Sequence, residues 1–239
     1  MDKVFKIFVD FDGTITPKDV GETMFLTFGN PTKAYKIVDR WTREEINSMQ
    51  AWRLLCETVP PIDMHKYIEF IDTFEIEKGF REFINFCTEN NFEIRILSDG
   101  LDFYINRILY NNNLGFLEVL SNSLTISTDN ILTPSFPHTD EECNYCANCK
   151  KNHIINFTDD EDFSIYIGDG YSDKCPAQFC DFVFAKNSLL KYCEKNRITY
   201  FPFQNFHDVV KRLEELKNKK RLKKRHQAEL KRREIYLQG

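Results

Sequence analysis

The chain has 239 residues, 42% hydrophobic and 29% charged, an ordinary balance for a soluble globular protein of one or two domains with a substantial buried core. Its formal net charge of -5 is unevenly spread: residues 211–239 hold twelve Lys or Arg against four Asp or Glu, leaving 20 basic and 33 acidic residues in 1–210. An acidic body argues against nucleic acid as the main partner, and no apolar run approaches the ~20 residues that span a bilayer.

The run Val4 to Val9 is apolar, β-branched and aromatic, and reads as a buried strand that ends in Asp10-Phe11-Asp12-Gly13-Thr14. Period-two side chains would put Asp10 and Asp12 on one side of that strand. Gly13 relaxes the turn behind the two acids. The start, Met1-Asp2-Lys3, lacks the charged and then apolar regions of a secretion signal, so a cytoplasmic setting is expected.

Residues 20–74 are almost wholly helix-like. Asn30-Pro31, Thr42 to Glu45 and Pro60 to Asp63 supply helix starts, with Thr42 and Glu45 at capping-box spacing. Four short helices inserted after the first strand form a small subdomain, either a lid over the strand end or simple bulk. Helix returns over Glu77 to Asn90, then a second strand, Phe92 to Leu97, ends in Ser98-Asp99-Gly100. A helix from Leu101 to Tyr110 and a hairpin within 117–136 around Asp129-Asn130 follow.

A Cys-bearing loop from His138 to Cys149 leads into a short helix from Lys150 to Phe157. Phe163 to Ile167 is a third buried strand, closing in Gly168-Asp169-Gly170-Tyr171-Ser172-Asp173. Strands then alternate with helices to Asn205, where the last helix begins and runs into the basic tail. That tail is polar nearly all round and reads as a solvated, projecting helix, or as a site for an anionic partner.

The alternation specifies an α/β fold: a Rossmann-like parallel sheet core with a small helical cap inserted after the first strand. The division expected is 1–16 and 76–210 as core, 17–75 as cap and 211–239 as a basic helical tail. Parallel strands bind ligands at their carboxyl ends, and here three such ends carry Asp10 and Asp12, Ser98, and Asp169 and Asp173. Taken singly, Asp173 could merely cap a helix and Ser98 merely end a strand. Together the acids call for a cation, and hard oxygen ligands suit Mg²⁺.

Asp10-Phe11-Asp12-Gly13-Thr14, Ser98, a lysine and Gly168 to Asp173, in that order, resemble the motifs of the haloacid-dehalogenase superfamily of phosphatases. The helical insertion resembles the cap of its phosphoserine-phosphatase-like branch. Gly79-Phe80-Arg81-Glu82-Phe83, Ser98 to Phe103, Cys149-Lys150 and Phe184-Ala185-Lys186 are most similar to the methionine-salvage enolase-phosphate phosphatases, which act on 2-hydroxy-3-keto-5-methylthiopentenyl-1-phosphate. The likeness covers about residues 4–208.

The resemblance implies that Asp10 attacks phosphorus to form an aspartyl-phosphate, while Asp12 protonates the leaving alcohol and then activates water. It implies Mg²⁺ held by Asp10, the backbone carbonyl of Asp12 and Asp169. Ser98 and a lysine, Lys150 or Lys151 with Lys150 favoured, would neutralise the phosphoryl oxygens, and Asp173 would orient that lysine or a metal-bound water. Asp99 and Gly100 would bring backbone N–H groups to phosphate, with Gly13 and Thr14 shaping the turn. The expected partner is a small phosphorylated metabolite. Phosphoserine, phosphocholine or another small phosphomonoester is the alternative substrate, and a non-catalytic metal-binding scaffold the alternative class. Cys143, Cys146 and Cys149, with His138 or His153, have zinc-like spacing, against reduced loop cysteines as the plainer reading.

Overall fold

The computed structural model describes residues 4–238, so the expectation placed on Met1–Lys3 lies outside the described residues. Seven strands form one sheet in the order β4-β3-β2-β1-β5-β6-β7: β1 (Phe5–Val9), β2 (Glu93–Leu101), β3 (Glu118–Ile126), β4 (Leu132–Ser135), β5 (Phe163–Gly168), β6 (Phe182–Ala185) and β7 (Phe201–Pro202). The pairs β1–β2, β1–β5, β5–β6 and β6–β7 are parallel, and β3–β4 is the antiparallel hairpin expected around Asp129-Asn130. The chain divides into two compact units, residues 1–10, 77–97 and 150–239, and residues 11–76 and 98–149.

The first unit is built on strands buried on both faces, which is why they read as continuous apolar runs. Phe5, Ile7, Phe8, Val9, Ile165, Tyr166 and Ile167 are fully enclosed, and each such side chain contributes about 1.5–3 kcal/mol by leaving water. Helices α5 (Phe80–Glu89) and α9 (Phe206–Asn218) pack on each other through the Phe206 ring, 4.8 Å from Phe80 and 5.0 Å from Phe83. Val9 faces Ile167 and Gly168 faces Ala185, so β1, β5 and β6 end together. The Asp10 N–H donates to the Ile167 carbonyl at 2.9 Å, carrying the ladder one residue past β1.

The tail departs from expectation. Helix α9 stops at Asn218, and a second helix, α10 (His226–Gln238), begins after an irregular stretch. Instead of projecting, α10 buries Ala228 completely and leaves Arg232 only 8% exposed. Arg232 donates to Asp181 Oδ1 (3.1 Å), Ser164 Oγ (3.1 Å) and the Phe179 carbonyl (2.5 Å). Charge periodicity could not show this, because a basic residue is buried only when a partner distant in sequence compensates it.

The second unit holds the four expected helices, α1 (Val20–Phe28), α2 (Pro31–Thr42), α3 (Ser48–Glu57) and α4 (Met64–Ile71), with α6 (Asp102–Asn111) and the β3–β4 hairpin. Asp19, Asn30, Asn47 and Asp63 cap them with side-chain oxygens, as short polar residues do at helix starts. The capping box falls at Asn47 and Gln50 and not at Thr42 and Glu45. Thr42 is the last residue of α2, and Glu44 takes the left-handed φ of 62°, which ends a helix and cannot start one. Inside the unit, Tyr67 stacks on Phe103 at 5.2 Å and donates its hydroxyl to Met24 Sδ at 2.7 Å.

Candidate active site

In the first unit a cluster of charged side chains collects just past the ends of β1 and β5. Asp10 is 4% exposed, Asp173 not at all, and Lys150, the first residue of α7 (Lys150–Asn156), 2%. The Lys150 ammonium donates to Asp10 Oδ1 (2.5 Å), Asp173 Oδ1 (2.8 Å) and Ser172 Oγ (3.2 Å). Of the two candidate lysines it is therefore Lys150 that reaches the acids, while Lys151 is half-buried. Asp173 also accepts from the Tyr166 hydroxyl (2.5 Å) and from the N–H groups of Asp169 (2.9 Å) and Gly170 (2.8 Å). Ser172 Oγ adds a fifth donor at 3.5 Å, and together these contacts fix Asp173 beside the lysine.

Electrostatics separates the two acids that share Lys150. Burial, then the neighbouring Asp173 charge, pushes Asp10 well above the usual carboxylate range, and Lys150 only partly offsets this. Burial also acts against ionised Asp173, but Lys150, Tyr166 and the Gly170 N–H outweigh it and hold Asp173 below its ordinary value. Lys150 is disfavoured by burial too, yet Asp10 and Asp173 raise it well above the ordinary lysine value, so it stays charged. Carboxylate oxygens of Asp10, Asp169 and Asp173 lie within 4.8 Å of one another. Three acids facing one ammonium leave negative charge uncompensated, and this all-oxygen set fits a hard divalent cation such as Mg²⁺.

In the second unit, Asp12 keeps an extended backbone (φ -72°, ψ 123°) within the stretch Phe11–Ile15, with Gly13 at φ 75° turning the chain after it. Asp12 Oδ1 accepts from the Val20 N–H (2.8 Å) and Oδ2 from the Tyr104 hydroxyl (2.6 Å). Burial and the Asp12 charge push Tyr104 well above the usual phenol value, so it remains a donor. Thr14 is fully buried in the same turn.

Ser98, 1% exposed, accepts the Gly100 N–H on its Oγ at 2.9 Å. The expectation for Asp99 concerned its backbone N–H, and its carboxylate serves as scaffolding. It accepts from Ser48 Oγ at the start of α3 (2.5 Å) and from the Asn148 N–H (3.0 Å). Asn148 in turn donates to the carbonyls of Ser98 and Leu120, both at 2.7 Å. The Gly100 N–H, the other expected phosphate donor, is engaged by Ser98.

The zinc reading of the Cys loop is not supported. Among the described residues, Cys143, Cys146, Cys149 and His138 do not bring three ligand atoms within 4.8 Å of one another. Cys143 is exposed, whereas Cys149 is buried with its sulfur 3.7 Å from Asp140 Oδ2. Regular Cys spacing along a chain does not make sulfurs converge, and here the Cys149 N–H is used instead to pin the His138 carbonyl at 2.7 Å.

Sequence reasoning missed Tyr104, Tyr166, Ser48 and Asn148. Tyr166 had a legible signal, since its hydroxyl lies in an otherwise apolar buried strand and must find a partner. Asn148 stands just before Cys149-Lys150, but nothing local marks it as the tie among three backbone segments.

The sequence profile of the Putative Phosphatase family matches residues 5–215. The chain is 36% identical over 214 residues to the 2-hydroxy-3-keto-5-methylthiopentenyl-1-phosphate phosphatases of Bacillus thuringiensis (strain Al Hakam) and Bacillus anthracis, covering 88% of this chain and 96% of each relative. Among solved structures, a phospho-aspartyl intermediate analogue of phosphoserine phosphatase superposes with TM-score 0.69 at 18% identity, covering 89% of this chain and 99% of that one. A substrate-bound phosphoserine phosphatase gives 0.68 at 20%, with the same coverage. At such identities these two likenesses speak for the fold.

Proposed function

From the premise that this chain belongs to the Putative Phosphatase family, within the haloacid-dehalogenase superfamily, we propose the substrate and the residue roles of its phosphomonoester hydrolysis. The substrate is 2-hydroxy-3-keto-5-methylthiopentenyl-1-phosphate, a reading supported by identity to relatives of that name across 96% of their length. Helices α1 to α4, within residues 17–75, serve as cap to a core made of 1–16 and 76–210, and 211–239 forms the C-terminal extension. All eight cysteines are free, which suits a reducing cytoplasm.

The observation that carries the mechanism is Lys150 held between Asp10 and Asp173. In the first half-reaction an Asp10 oxygen bonds to phosphorus as the bond to the leaving alcohol breaks, and Asp12 gives that alcohol its proton. In the second, Asp12 takes a proton from water as its oxygen attacks phosphorus and the Asp10–phosphorus bond breaks, releasing phosphate. Lys150 and Ser98 neutralise phosphoryl oxygens during both. Asp10 and Asp169, with the backbone carbonyl of Asp12, would hold Mg²⁺. The bound ion would supply compensation for carboxylate and phosphate charge.

The test is a Mg²⁺-dependent phosphatase assay over small phosphomonoesters, including the methylthiopentenyl compound, O-phosphoserine and phosphocholine, beside Asp10→Asn. We expect turnover with the methylthiopentenyl compound preferred, and its loss in Asp10→Asn. Hydrolysis that survives the substitution would remove Asp10 as nucleophile, and preference for phosphoserine would replace the substrate.

A further inference from the structure

Asp12 has a partner that the scheme above does not use. The acid sits just before the turn at Gly13, and the terminal torsion of an aspartate is a broad, twofold rotor. Two donors from separate elements stop that rotation, the Val20 N–H in the first turn of α1 on Oδ1 and the Tyr104 hydroxyl in the first turn of α6 on Oδ2. Tyr104 is fully enclosed and lies 6.2 Å, ring to ring, from Phe11 beside Asp12. Gly100 provides the clearance: a Cβ there would stand 2.0 Å from the Tyr104 hydroxyl oxygen and 2.6 Å from Asp12 Oδ2. The hydrogen bond and any side chain at position 100 thus compete for one space.

We propose that Tyr104 is the positioning residue for Asp12, fixing the rotation of its carboxylate for proton transfer, with Gly100 present to admit the contact. The inference rests on the reading of Asp12 as acid and base. An ionised carboxylate has about four lone-pair sites, and a donor on each oxygen defines where the others point. The phenol acts through Asp12 and carries no proton to substrate itself. Misplacement of a proton donor slows bond breaking most when the leaving group is a poor one, and affects substrate binding little.

The measurement is kcat/KM of the full-length enzyme with phenyl phosphate, a poor leaving group, and 4-nitrophenyl phosphate, a good one. Tyr104→Phe should lose at least about tenfold more activity on phenyl phosphate, part of the 10²–10⁴-fold range of general acid catalysis, with KM nearly unchanged. Gly100→Ala, which keeps the phenol but wedges a methyl group into its contact, should show the same leaving-group bias and covers the case that Tyr104→Phe does not fold. Equal losses on both substrates, or none, overturn the proposal. Asp12→Asn measured alongside separates the two readings. A steep bias there with a wild-type profile in Tyr104→Phe overturns the positioning role alone, and no bias in Asp12→Asn overturns the acid–base role and the positioning role with it.

Discussion

The Lys150 ammonium lies 2.5 Å from an oxygen of Asp10, and both side chains are almost wholly out of water. Removing one partner of a buried ion pair leaves the other uncompensated, at a cost of about 3–5 kcal/mol. Lys150→Met should therefore lower stability in urea unfolding and reduce kcat by about 10²-fold or more, the scale of losing one preorganised donor to a developing charge. Lys150→Arg should not restore turnover, because a planar fork does not fit a cage built around a point charge. Lys151→Met should turn over near the wild-type rate; if that variant and not Lys150→Met loses activity, the lysine assignment is exchanged.

Ser48 and Asp99 join the first turn of α3 to the end of β2 within the second unit. A hydrogen bond to a charged group contributes about 1.5–3 kcal/mol, so Ser48→Ala should destabilise by that order. Asp99→Ala should cost more, because it also leaves the Asn148 N–H without its carboxylate. A double-mutant cycle in urea should return a coupling of about 0.5–3 kcal/mol, and zero coupling would mean that the contact does not hold α3 in solution.

Arg232 and Asp181 form a buried pair that ties α10 to the segment before β6. Asp181 also accepts from the N–H and hydroxyl of Ser164, so its carboxylate is held by both segments. Arg232→Met should destabilise the protein by about 3–5 kcal/mol. An unchanged unfolding midpoint would show instead that the C-terminal helix is not held by this pair.

The cysteines should fall into two reactivity classes toward a disulfide reagent near neutral pH. Burial raises the thiols of Cys56 and Cys180 to about 12 and of Cys193 to about 11, so they stay protonated and enclosed. Since the thiolate is the nucleophile, these three should react only when the protein unfolds, while exposed Cys143 should be modified first. Rapid modification of Cys180 in the native protein would contradict the fold around β5 and β6.

Much of the site was legible because its signals are local. Asp10 follows an apolar run that could only be a buried strand, and Gly168-Asp169 follows another, so both ends were placed by hydrophobic pattern alone. The lysine was legible only as one of two neighbours, Lys150 or Lys151, at the head of a short helix. The role of the Asp99 side chain was not legible, because its direction is set by Ser48 and Asn148, 51 and 49 residues away.

The sequence by itself determined the α/β alternation, the helical insertion, the order of acidic motifs at strand ends and the family resemblance, since each depends on residue types within a few positions of one another. Tertiary structure alone showed that Lys150 meets the acids, that among the described residues the loop cysteines form no three-ligand cluster, that the basic tail docks, and that the Tyr104 hydroxyl donates to Asp12. Those outcomes depend on side-chain direction and on partners brought together across tens of residues. Whether a charge is buried, and hence which groups can ionise, is settled only when such partners are in place.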